Sequence, residues 1–327
     1  MLSLWIGGYP ATEIAAHTPP TWETLADGGC GAASWAFALS PRSQHQALRA
    51  GALVQIKCGP MPVYTGTLTE PDRSTWECHA TGLSSGLHRI LALDSAGEAT
   101  RNLSTAITEA IATGGWKGTN PAPISGTAAG DVDSGPVTVG TLLDDYAEQT
   151  GQFWGVDGAG RLYMTPGPGG HSWVTAPNVA AFGATDEDVA TRLVGRYDTG
   201  AGYASRIVGT PGLDDVVDLT GRGVLTAAAV DAILAGAIRL RGETKWVNGV
   251  TLHREQLQTR GGTPAFLASV VARQMIRAHG LASGVIAQTP WLDVVIGKTS
   301  YTAGASTIYL EPFNTAPRNL TDVIAAA

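Results

Sequence analysis

Three strand patterns follow one another in residues 51–83, GALVQIKCGPMPVYTGTLTEPDRSTWECHATGL. In the first of them, Val54, Ile56 and Cys58 alternate with polar side chains. A period of two is typical of a strand that has one face in a hydrophobic core. Because turn signals such as Gly59-Pro60 separate the three patterns, the stretch predicts a small closed β-barrel or a β-sandwich.

The hydrophobic period changes to that of a helix after residue 95. A first helix is predicted from Leu103 to Gly114, and a second helix, which carries Leu142 and Leu143, is predicted to end at Gly151. The sequence Asp157-Gly158-Ala159-Gly160 then predicts the turn of a β-hairpin. Two helices followed by a hairpin indicate a compact α+β insertion.

Strand patterns return in the last third of the chain, together with two further helix patterns. The first helix is capped by Thr226, and the second is predicted to begin at Thr263-Pro264, to end at Gly280 and to have His279 in its last turn. The predicted strands are Arg206–Gly209, Val216–Leu219, Lys245–Leu252, Gly284–Gln288, Trp291–Ile296 and Ser306–Glu311. The predicted fold class is therefore mainly β with an α+β insertion, in three domains: a first β-barrel domain (1–92), an inserted α+β domain (93–195) and a second β-barrel domain with two helices (196–327).

The composition indicates a glycine-rich protein with little charge. Glycine occurs 42 times, and charged residues make up 15% of the 327 residues, against a usual fraction of about 25%. The formal net charge of −7 argues against binding to a phosphate backbone. No Lys or Arg precedes Arg42 and no apolar run is long enough to span a bilayer, so the expectation is a cytoplasmic product with no signal peptide and no membrane anchor.

Motifs for catalysis, metal binding or cofactor binding are absent from the sequence. Gly297-Lys298-Thr299 resembles the end of a phosphate-binding loop, but it lacks the first glycine, and a turn at the end of a strand is the expected structure. Cys30, Cys58 and Cys78 match neither a disulfide framework nor a zinc pattern and are predicted to be small buried hydrophobes. The seven histidines lack the spacing of zinc ligands. We therefore predict no catalytic residue, no metal ligand and no cofactor.

Two groups of carboxylates are the nearest approach to a catalytic pattern. One contains Asp144, Asp145 and Glu148, and the other contains Asp214, Asp215 and Asp218. Paired carboxylates can hydrolyse glycosidic bonds, and the second group could bind calcium weakly. The first group lies on the polar side of a predicted helix, however, where solvated charge is the usual arrangement. Solvent-exposed charge is therefore the favoured interpretation of both groups.

Nine tryptophans are a high number for this length. Trp22, Trp116 and Trp173 occur in stretches that resemble loops, beside glycine or proline, where large aromatic side chains often anchor contacts between subunits. We predict these three as candidate subunit-interface residues. The alternative is that they stack on sugar rings, as in a carbohydrate-binding module.

Several short motifs resemble those of the hub proteins and minor tail proteins of phages. The segments Gly51–Ile56, Val63–Leu68 and Trp76–Leu83 are similar to the opening barrel of tail hub proteins. Thr141–Leu143, followed by Gly151–Leu162, resembles the helix and Asp-Gly hairpin of the insertion in the same family. Leu310-Glu311-Pro312 and Pro317-Arg318 are similar to minor tail proteins of actinobacterial siphophages.

The resemblance implies a non-enzymatic virion protein, assembled in the host cytoplasm and located at the tail tip. Its two barrels per subunit would form a homotrimeric ring that joins the tail tube and the distal tail protein to the tip. Other tail-tip proteins would also be partners, the tape measure protein would end near the lumen, and DNA would pass through without specific binding. Because the chain ends near the barrels, a peptidase or lysozyme-like activity is expected on another polypeptide.

Two alternatives to the hub remain open at this point. One is a distal tail protein, which forms a hexameric ring. The other is a tail protein that hydrolyses the cell wall or binds carbohydrate. Three-fold or six-fold symmetry separates the first alternative from the hub, and activity on peptidoglycan identifies the second.

Overall fold

The computed structural model describes residues 2–38, 45–128, 137–176, 184–185, 190–241, 245–246, 249–279 and 291–313. The protein is mainly β, with 44% strand and 18% helix, and its sheet is curled into a half-barrel. This confirms the predicted fold class. The predicted strand Gly284–Gln288 and the motif Pro317-Arg318 lie outside the described residues.

The described residues form twenty β-strands and five α-helices. Strands β1 to β10 are Leu2–Ile6, Tyr9–Pro10, Thr21–Leu25, Gly28–Ala36, Leu53–Cys58, Met61–Leu68, Glu77–Gly82, Gln152–Val156, Leu162–Pro166 and Trp173–Thr175. Strands β11 to β20 are Ala184–Thr185, Arg192–Asp198, Tyr203–Gly209, Asp214–Asp218, Lys245–Trp246, Val250–His253, Leu257–Thr259, Met275–His279, Trp291–Thr302 and Thr307–Pro312. Helices α1 to α5 are Ala11–Ile14, Ser84–Leu87, Leu103–Ala112, Val139–Thr150 and Ala227–Arg241.

The largest sheet joins the beginning of the chain to its C-terminal part. From β19 its order is β19-β3-β4-β7-β6-β5-β1-β2, while β8 pairs with β4 and β9, and β20 pairs with β19 and β16. The antiparallel pair of β3 and β19 places Thr24 opposite Thr299 and Trp22 opposite Tyr301. The N-terminal strands and β19 therefore share one continuous sheet.

The period-two patterns in residues 51–83 form strands β5, β6 and β7, as the sequence predicts. Val54 and Ile56 on β5 are fully buried, and so are Cys78 and Ala80 on β7. Polar neighbours on the same strands point away from this core. Burying a side chain of valine or isoleucine stabilises the fold by about 1.5–3 kcal/mol, which sets the register of these strands.

The predicted α+β insertion is confirmed by α3, α4 and the hairpin of β8 and β9, which contribute to one hydrophobic core. Gly151 ends α4 in the left-handed conformation, with φ at 62°, where glycine has no steric penalty. In the hairpin turn, Oδ1 of Asp157 accepts hydrogen bonds from the backbone N–H groups of Ala159 and Arg161 at 2.9 and 3.0 Å. Local sequence signals are sufficient to specify these elements.

The helix predicted from Thr263-Pro264 to Gly280 is wrong. The segment contains a single 3₁₀ turn, Leu267–Ser269, and then strand β18, so His279 lies on a strand and not in the last turn of a helix. Leu267 and Ala268 in the 3₁₀ turn and Val270 and Ala272 after it are all buried, although the segment is not a helix. Tertiary burial therefore overrides the helical spacing of the apolar residues in this segment.

Two smaller predictions also need correction. Gly297-Lys298-Thr299 does not form a turn at a strand end, because it lies inside the long strand β19, where the pairing with β20 is irregular between Ile296 and Lys298. The predicted strand Lys245–Leu252 is interrupted at Gly249, which belongs to no strand and lies between β15 and β16; residues 247–248 lie outside the described residues.

The chain divides into two compact units. Unit 1 comprises Met1–Val174, Thr251–Ile276 and Val295–Phe313, and unit 2 comprises Thr175–Val250, Arg277–Val294 and Asn314–Ala327. The predicted division into three domains at 1–92, 93–195 and 196–327 stays a prediction.

Within unit 2, helix α5 covers a three-stranded sheet with the order β13-β12-β14. The predicted cap is confirmed, since Oγ1 of Thr226 accepts a hydrogen bond from the backbone N–H of Ala229 at 3.2 Å. Val230 and Leu234 of the helix share a core with Leu193 of β12 and Val217 of β14. One face of this small sheet is therefore closed by the helix.

Candidate functional site

The three tryptophans predicted for subunit contacts are all buried within the chain. Trp22, Trp116 and Trp173 are only 3%, 4% and 7% exposed. Trp22 lies on β3 and Trp173 on β10, so for these two the loop-like interpretation is wrong. Their role at a subunit interface stays a prediction, and the burial of the rings gives it no support.

Each of these indole rings has a specific contact inside its own chain. The Trp22 ring meets the ring of Tyr301 edge to face, with centroids 5.1 Å apart. The indole N–H of Trp116 donates to the carbonyl of Leu83 at 2.9 Å, and that of Trp173 donates to Oε1 of Gln274 at 2.6 Å. Satisfied N–H groups and edge-to-face packing are typical of aromatic residues in a core.

The first carboxylate group is engaged in contacts that hold the α+β insertion together. Oδ1 of Asp144 accepts a hydrogen bond from the indole N–H of Trp154 at 2.8 Å, and its Oδ2 lies 3.8 Å from Nδ1 of His88. Asp145 lies 3.5 Å from the guanidinium of Arg101. The side chains of Asp144 and Asp145 are still 51% and 38% exposed, so the predicted solvent-exposed charge is found here, with partners within the chain in addition.

Two cavities of unit 1 lie among the described residues, and neither is lined by Asp144 or Asp145. One, of about 640 Å³, is lined by Tyr9, Arg49 and Lys117 among others. The other, of about 420 Å³, lies between Pro121–Ser125 and the β8–β9 hairpin. The residues that line the two cavities do not include Asp144 or Asp145, so neither cavity has the pair of carboxylates that a glycosidase needs.

The second carboxylate group belongs to strand β14 and is also occupied by neighbours. Asp214 forms a two-point ion pair with Arg192, which holds the pKa of the carboxyl below its usual value. Oδ1 of Asp218 accepts hydrogen bonds from the backbone N–H and the hydroxyl of Thr220 at 3.0 and 2.7 Å, and these lower its pKa as well. The carboxylates are thus engaged by ion pairing and capping, not arranged as a calcium loop.

All three cysteines are free thiols; Cys30 and Cys78 are buried as predicted, whereas Cys58 is only half-buried, so the prediction of burial is wrong for Cys58. Burial raises the pKa of Cys30 to about 12 and that of Cys78 to about 11, so both are protonated at neutral pH. Raised pKa values are opposite to what a reactive or metal-binding thiol needs. Among the residues that the structure describes, no group of three His, Cys, Asp or Glu side chains is placed to hold a metal ion, and no helix is long and apolar enough to cross a bilayer.

An exposed apolar row crosses the sheet of unit 2 on the side opposite α5. Ile207 on β13, Val194 on β12 and Val216 on β14 are cross-strand partners. Val194 is half-buried, whereas Ile207 and Val216 are 62% and 66% exposed. Since alternate residues of a strand point to opposite faces, these three point away from the helix-covered side. We call the face that carries this row the outer face.

Charged residues flank the apolar row on both sides. On one side Arg192 is paired with Asp214, and on the other Arg196 lies opposite Asp218. The guanidinium of Arg196 also lies over the ring of Tyr203, 4.9 Å from its centroid, and Tyr203 is 64% exposed. The outer face therefore has an apolar centre between two rows, each with one positive and one negative charge.

Comparisons with known proteins add information about the fold alone. No family model matches the sequence, and no curated protein matches it either. Among solved structures, the 43 kDa tail protein of prophage MuSo2 from Shewanella oneidensis is similar with a TM-score of 0.57 at 12% identity, over 95% of this chain and 97% of the other. The tail protein from Neisseria meningitidis MC58 is similar with a TM-score of 0.50 at 13% identity, over 95% of each chain.

The chain has the fold of phage tail proteins. The likeness to this fold extends over nearly the whole of both chains, so it includes the sheet of unit 1 and the helix-covered sheet of unit 2. The tail-like motifs of the sequence lie on consecutive elements of that fold: residues 51–83 on β5 to β7, and residues 141–162 on α4, β8 and the start of β9. The more specific likeness to actinobacterial siphophages stays a prediction.

The outer face of this tail-like fold is the feature that the sequence interpretation missed. Arg192–Asp198 has apolar residues at consecutive positions, Leu193 and Val194, so the pattern does not reveal which face is covered. The signal that the sequence did offer was the pair of predicted strands Arg206–Gly209 and Val216–Leu219. Both are apolar, and a single helix can cover only one face of the sheet they form, so the other face would stay exposed.

Proposed function

We propose that this protein is a structural subunit of a phage tail, positioned in the hub ring that joins the tail tube to the tip. The observation that carries the proposal is the tail-protein fold over 95% of the chain. Partners expected for this position are a distal tail protein, the tape measure protein and other tail-tip proteins, with the assembled virion as the location.

The surface chemistry is consistent with a subunit of a ring. Only 15% of the residues are charged, and the outer face of unit 2 exposes apolar side chains that a monomer in water would not need. A ring subunit covers such surface with its neighbours. The proposed assembly is a homotrimer.

A channel for DNA agrees with the charge of the chain. With a formal net charge of −7, carboxylates near a lumen would repel phosphate groups and keep the genome from binding during ejection. A lumen that proves basic in the assembled ring would remove this part of the proposal.

The proposed role requires no catalysis. Asp144 and Asp145, the first carboxylates to consider for hydrolysis, have Trp154 and Arg101 as partners. The protein and an Asp144→Asn variant are therefore both expected to release no fragments from purified peptidoglycan. Release by the native protein that the substitution abolishes would favour a cell-wall hydrolase.

Location in the particle tests the proposed function. Gold-labelled antibodies against the chain are expected to bind one end of isolated tails, where the tube meets the tip, and not along the tube. Antibodies against the tube protein provide the control, since they should label the whole length. Labelling along the tube, on the capsid or only on material outside the particle would contradict the proposal.

A further inference from the structure

Two positively charged side chains line the larger cavity of unit 1, the one of about 640 Å³. Arg49 comes from the connection between β4 and β5, and Lys117 comes from the loop after α3. Most of the other lining residues are glycine or alanine, and none of the described lining residues is Asp or Glu. A cavity of about 300–1,000 Å³ is typical of sites for small molecules. Two cations therefore share a cavity of ligand size that contributes no carboxylate of its own.

The two cations differ from most others of this chain, because neither has a carboxylate partner in the part that the structure describes. Carboxylates are in excess, with a formal net charge of −7. Seven other cations of the described residues form ion pairs: Arg73, Arg101, Arg161, Arg192, Arg206, Arg277 and Lys298. The amino group of Lys117 instead donates to the backbone carbonyl of Gly51, which is also part of the lining. That contact holds the ammonium at the cavity and leaves two of its three N–H donors for a ligand.

Tyr9 supplies a third donor to the same cavity. Its side chain is 37% exposed, and its hydroxyl oxygen accepts a hydrogen bond from Nε2 of Gln46 at 2.9 Å. The O–H of Tyr9 is then still able to donate to a ligand. The ring of His45 meets the Tyr9 ring edge to face, with centroids 4.9 Å apart, and supports its orientation. Three separate parts of the chain thus bring a guanidinium, an ammonium and a phenolic O–H to one cavity.

We propose that this cavity binds a small organic molecule through a phosphate monoester group, with Arg49, Lys117 and Tyr9 as the donors to the phosphate. A phosphate monoester carries nearly two negative charges at neutral pH and has three acceptor oxygens, which matches two cations and three donor groups. A carboxylate has one charge and two oxygens, and therefore matches the set less well.

The organic part of the ligand follows from the size of the cavity. A phosphate ion alone would leave most of the volume unfilled, whereas a monoester places its carbon skeleton between the short side chains of the wall and the exposed ring of Tyr9. The inference goes beyond the proposed function and does not rest on it, because it concerns the isolated chain.

Isothermal titration calorimetry with the full chain and phenyl phosphate tests the site. In a buffer with about 150 mM salt, we expect one molecule to bind per chain with a Kd of about 0.1 mM or lower. Inorganic phosphate is expected to bind about tenfold more weakly, because it leaves the wall and the Tyr9 ring uncovered. Succinate, which carries two carboxylates, is expected to be weaker than phenyl phosphate by about the same factor.

Substitutions of the three donors separate this site from general charge attraction. Arg49→Gln and Lys117→Gln are each expected to raise the Kd for phenyl phosphate by about tenfold or more, because each removes a charged donor. Tyr9→Phe keeps the ring and loses the O–H, and it should raise the Kd by about fivefold. Arg260→Gln is the matched control, since this arginine is exposed in unit 1 outside the cavity and its loss changes the net charge equally. It should leave the Kd unchanged, and circular dichroism shows that each variant is folded.

Hydrogen exchange on the native protein gives a readout that needs no variant. Phenyl phosphate is expected to slow the exchange of amides in residues 7–9 and 46–53, which border the cavity, and to leave those of α5 unchanged. Protection of other segments in place of these would overturn the inference.

Three calorimetric results would also overturn it. The first is an adventitious ion only, that is, binding weaker than about 10 mM or lost at about 150 mM salt. The second is a Kd that Arg260→Gln raises as much as Arg49→Gln does, which would indicate general charge attraction. The third is tighter binding of succinate than of phenyl phosphate, which would identify a site for dicarboxylates.

Discussion

A buried pair of threonines joins the N-terminal and C-terminal parts of unit 1, and its removal should be costly. Thr24 on β3 and Thr299 on β19 lie opposite each other, with their hydroxyl oxygens 2.7 Å apart. The same Oγ1 of Thr24 accepts a hydrogen bond from the backbone N–H of Ala272 at 2.7 Å. Both threonines are buried, so water does not compete for these groups.

Substitution of Thr24 by valine preserves the shape of the side chain and removes both hydrogen bonds. The backbone N–H of Ala272 then loses its acceptor, which costs about 1–3 kcal/mol, and the lost bond between the hydroxyls costs about 1 kcal/mol more. We therefore expect Thr24→Val to lower the free energy of unfolding of unit 1 by about 2–4 kcal/mol. In a Thr24→Val background, Thr299→Val should cost much less than it does alone, because the hydrogen bond between the two hydroxyls is already lost.

Urea denaturation followed by circular dichroism measures this effect. All variants are compared at one protein concentration, because association contributes to apparent stability, and the two units are fitted as separate transitions. Thr21→Val is the matched control on the same strand: its hydroxyl lies 2.8 Å from that of Thr302, but the pair is only half-buried, so we expect a loss below about 1 kcal/mol. Equal losses for Thr24→Val and Thr21→Val would refute the reasoning.

Three further predictions concern the core, the ion pairs and a close backbone approach. Trp116→Ala should destabilise unit 1 by about 3–5 kcal/mol in the same urea assay, because it leaves a cavity where the buried indole ring was. An unchanged stability together with a changed oligomer mass would instead place the ring in a subunit contact. Asp231 forms a two-point ion pair with Arg206, which lowers the pKa of the carboxyl below its usual 3.8. The stabilisation by this pair is present above about pH 4 and is lost as the pH falls through the folded-state pKa. The Tm difference between native protein and Asp231→Asn, measured from about pH 6 to about pH 2.5, should therefore shrink to zero, and a constant difference would exclude the ion pair as its cause. Gly82→Ala would bring a Cβ within 1.6 Å of the carbonyl oxygen of Cys30 and should lower the free energy of unfolding by at least about 2 kcal/mol. Gly86→Ala is the control, since its Cβ would meet only the Trp116 ring at an ordinary 3.6 Å, and it should change stability by less than about 1 kcal/mol. Similar Tm values for the two variants would count against the strand pairing at Gly82.

The parts of the fold that short-range sequence specifies could be predicted from the sequence. Gly151 ends α4 and Asp157 orders the hairpin turn through contacts that lie within four residues along the chain. The strands of residues 51–83 were also predictable, because their period of two is the direct consequence of burying one face.

The segment after Thr263 could not be predicted in this way, because its conformation depends on distant residues. The backbone N–H of Ala272 bonds to a hydroxyl that is 248 residues away in the sequence, and the N–H of Arg273 donates to the carbonyl of Ile296 at 2.6 Å. Such contacts satisfy the backbone without a helix. A helical spacing of apolar residues was therefore an insufficient guide here.

The candidate interaction residues show the same limit. Trp22, Trp116 and Trp173 occur in stretches that contain glycine or proline, and that context indicated exposed loops, but the structure packs all three rings into a core. The local sequence does not show which face of this sheet stays exposed, because the exposure of Val216 and the burial of Val217 depend on which face α5 covers.

Electron cryomicroscopy of intact tails tests the central claim most directly. The account predicts density for this fold at the junction of tube and tip, in three copies around the axis. Six copies in one ring would indicate a distal tail protein in place of a hub, and the absence of this fold from the tail would contradict the account as a whole.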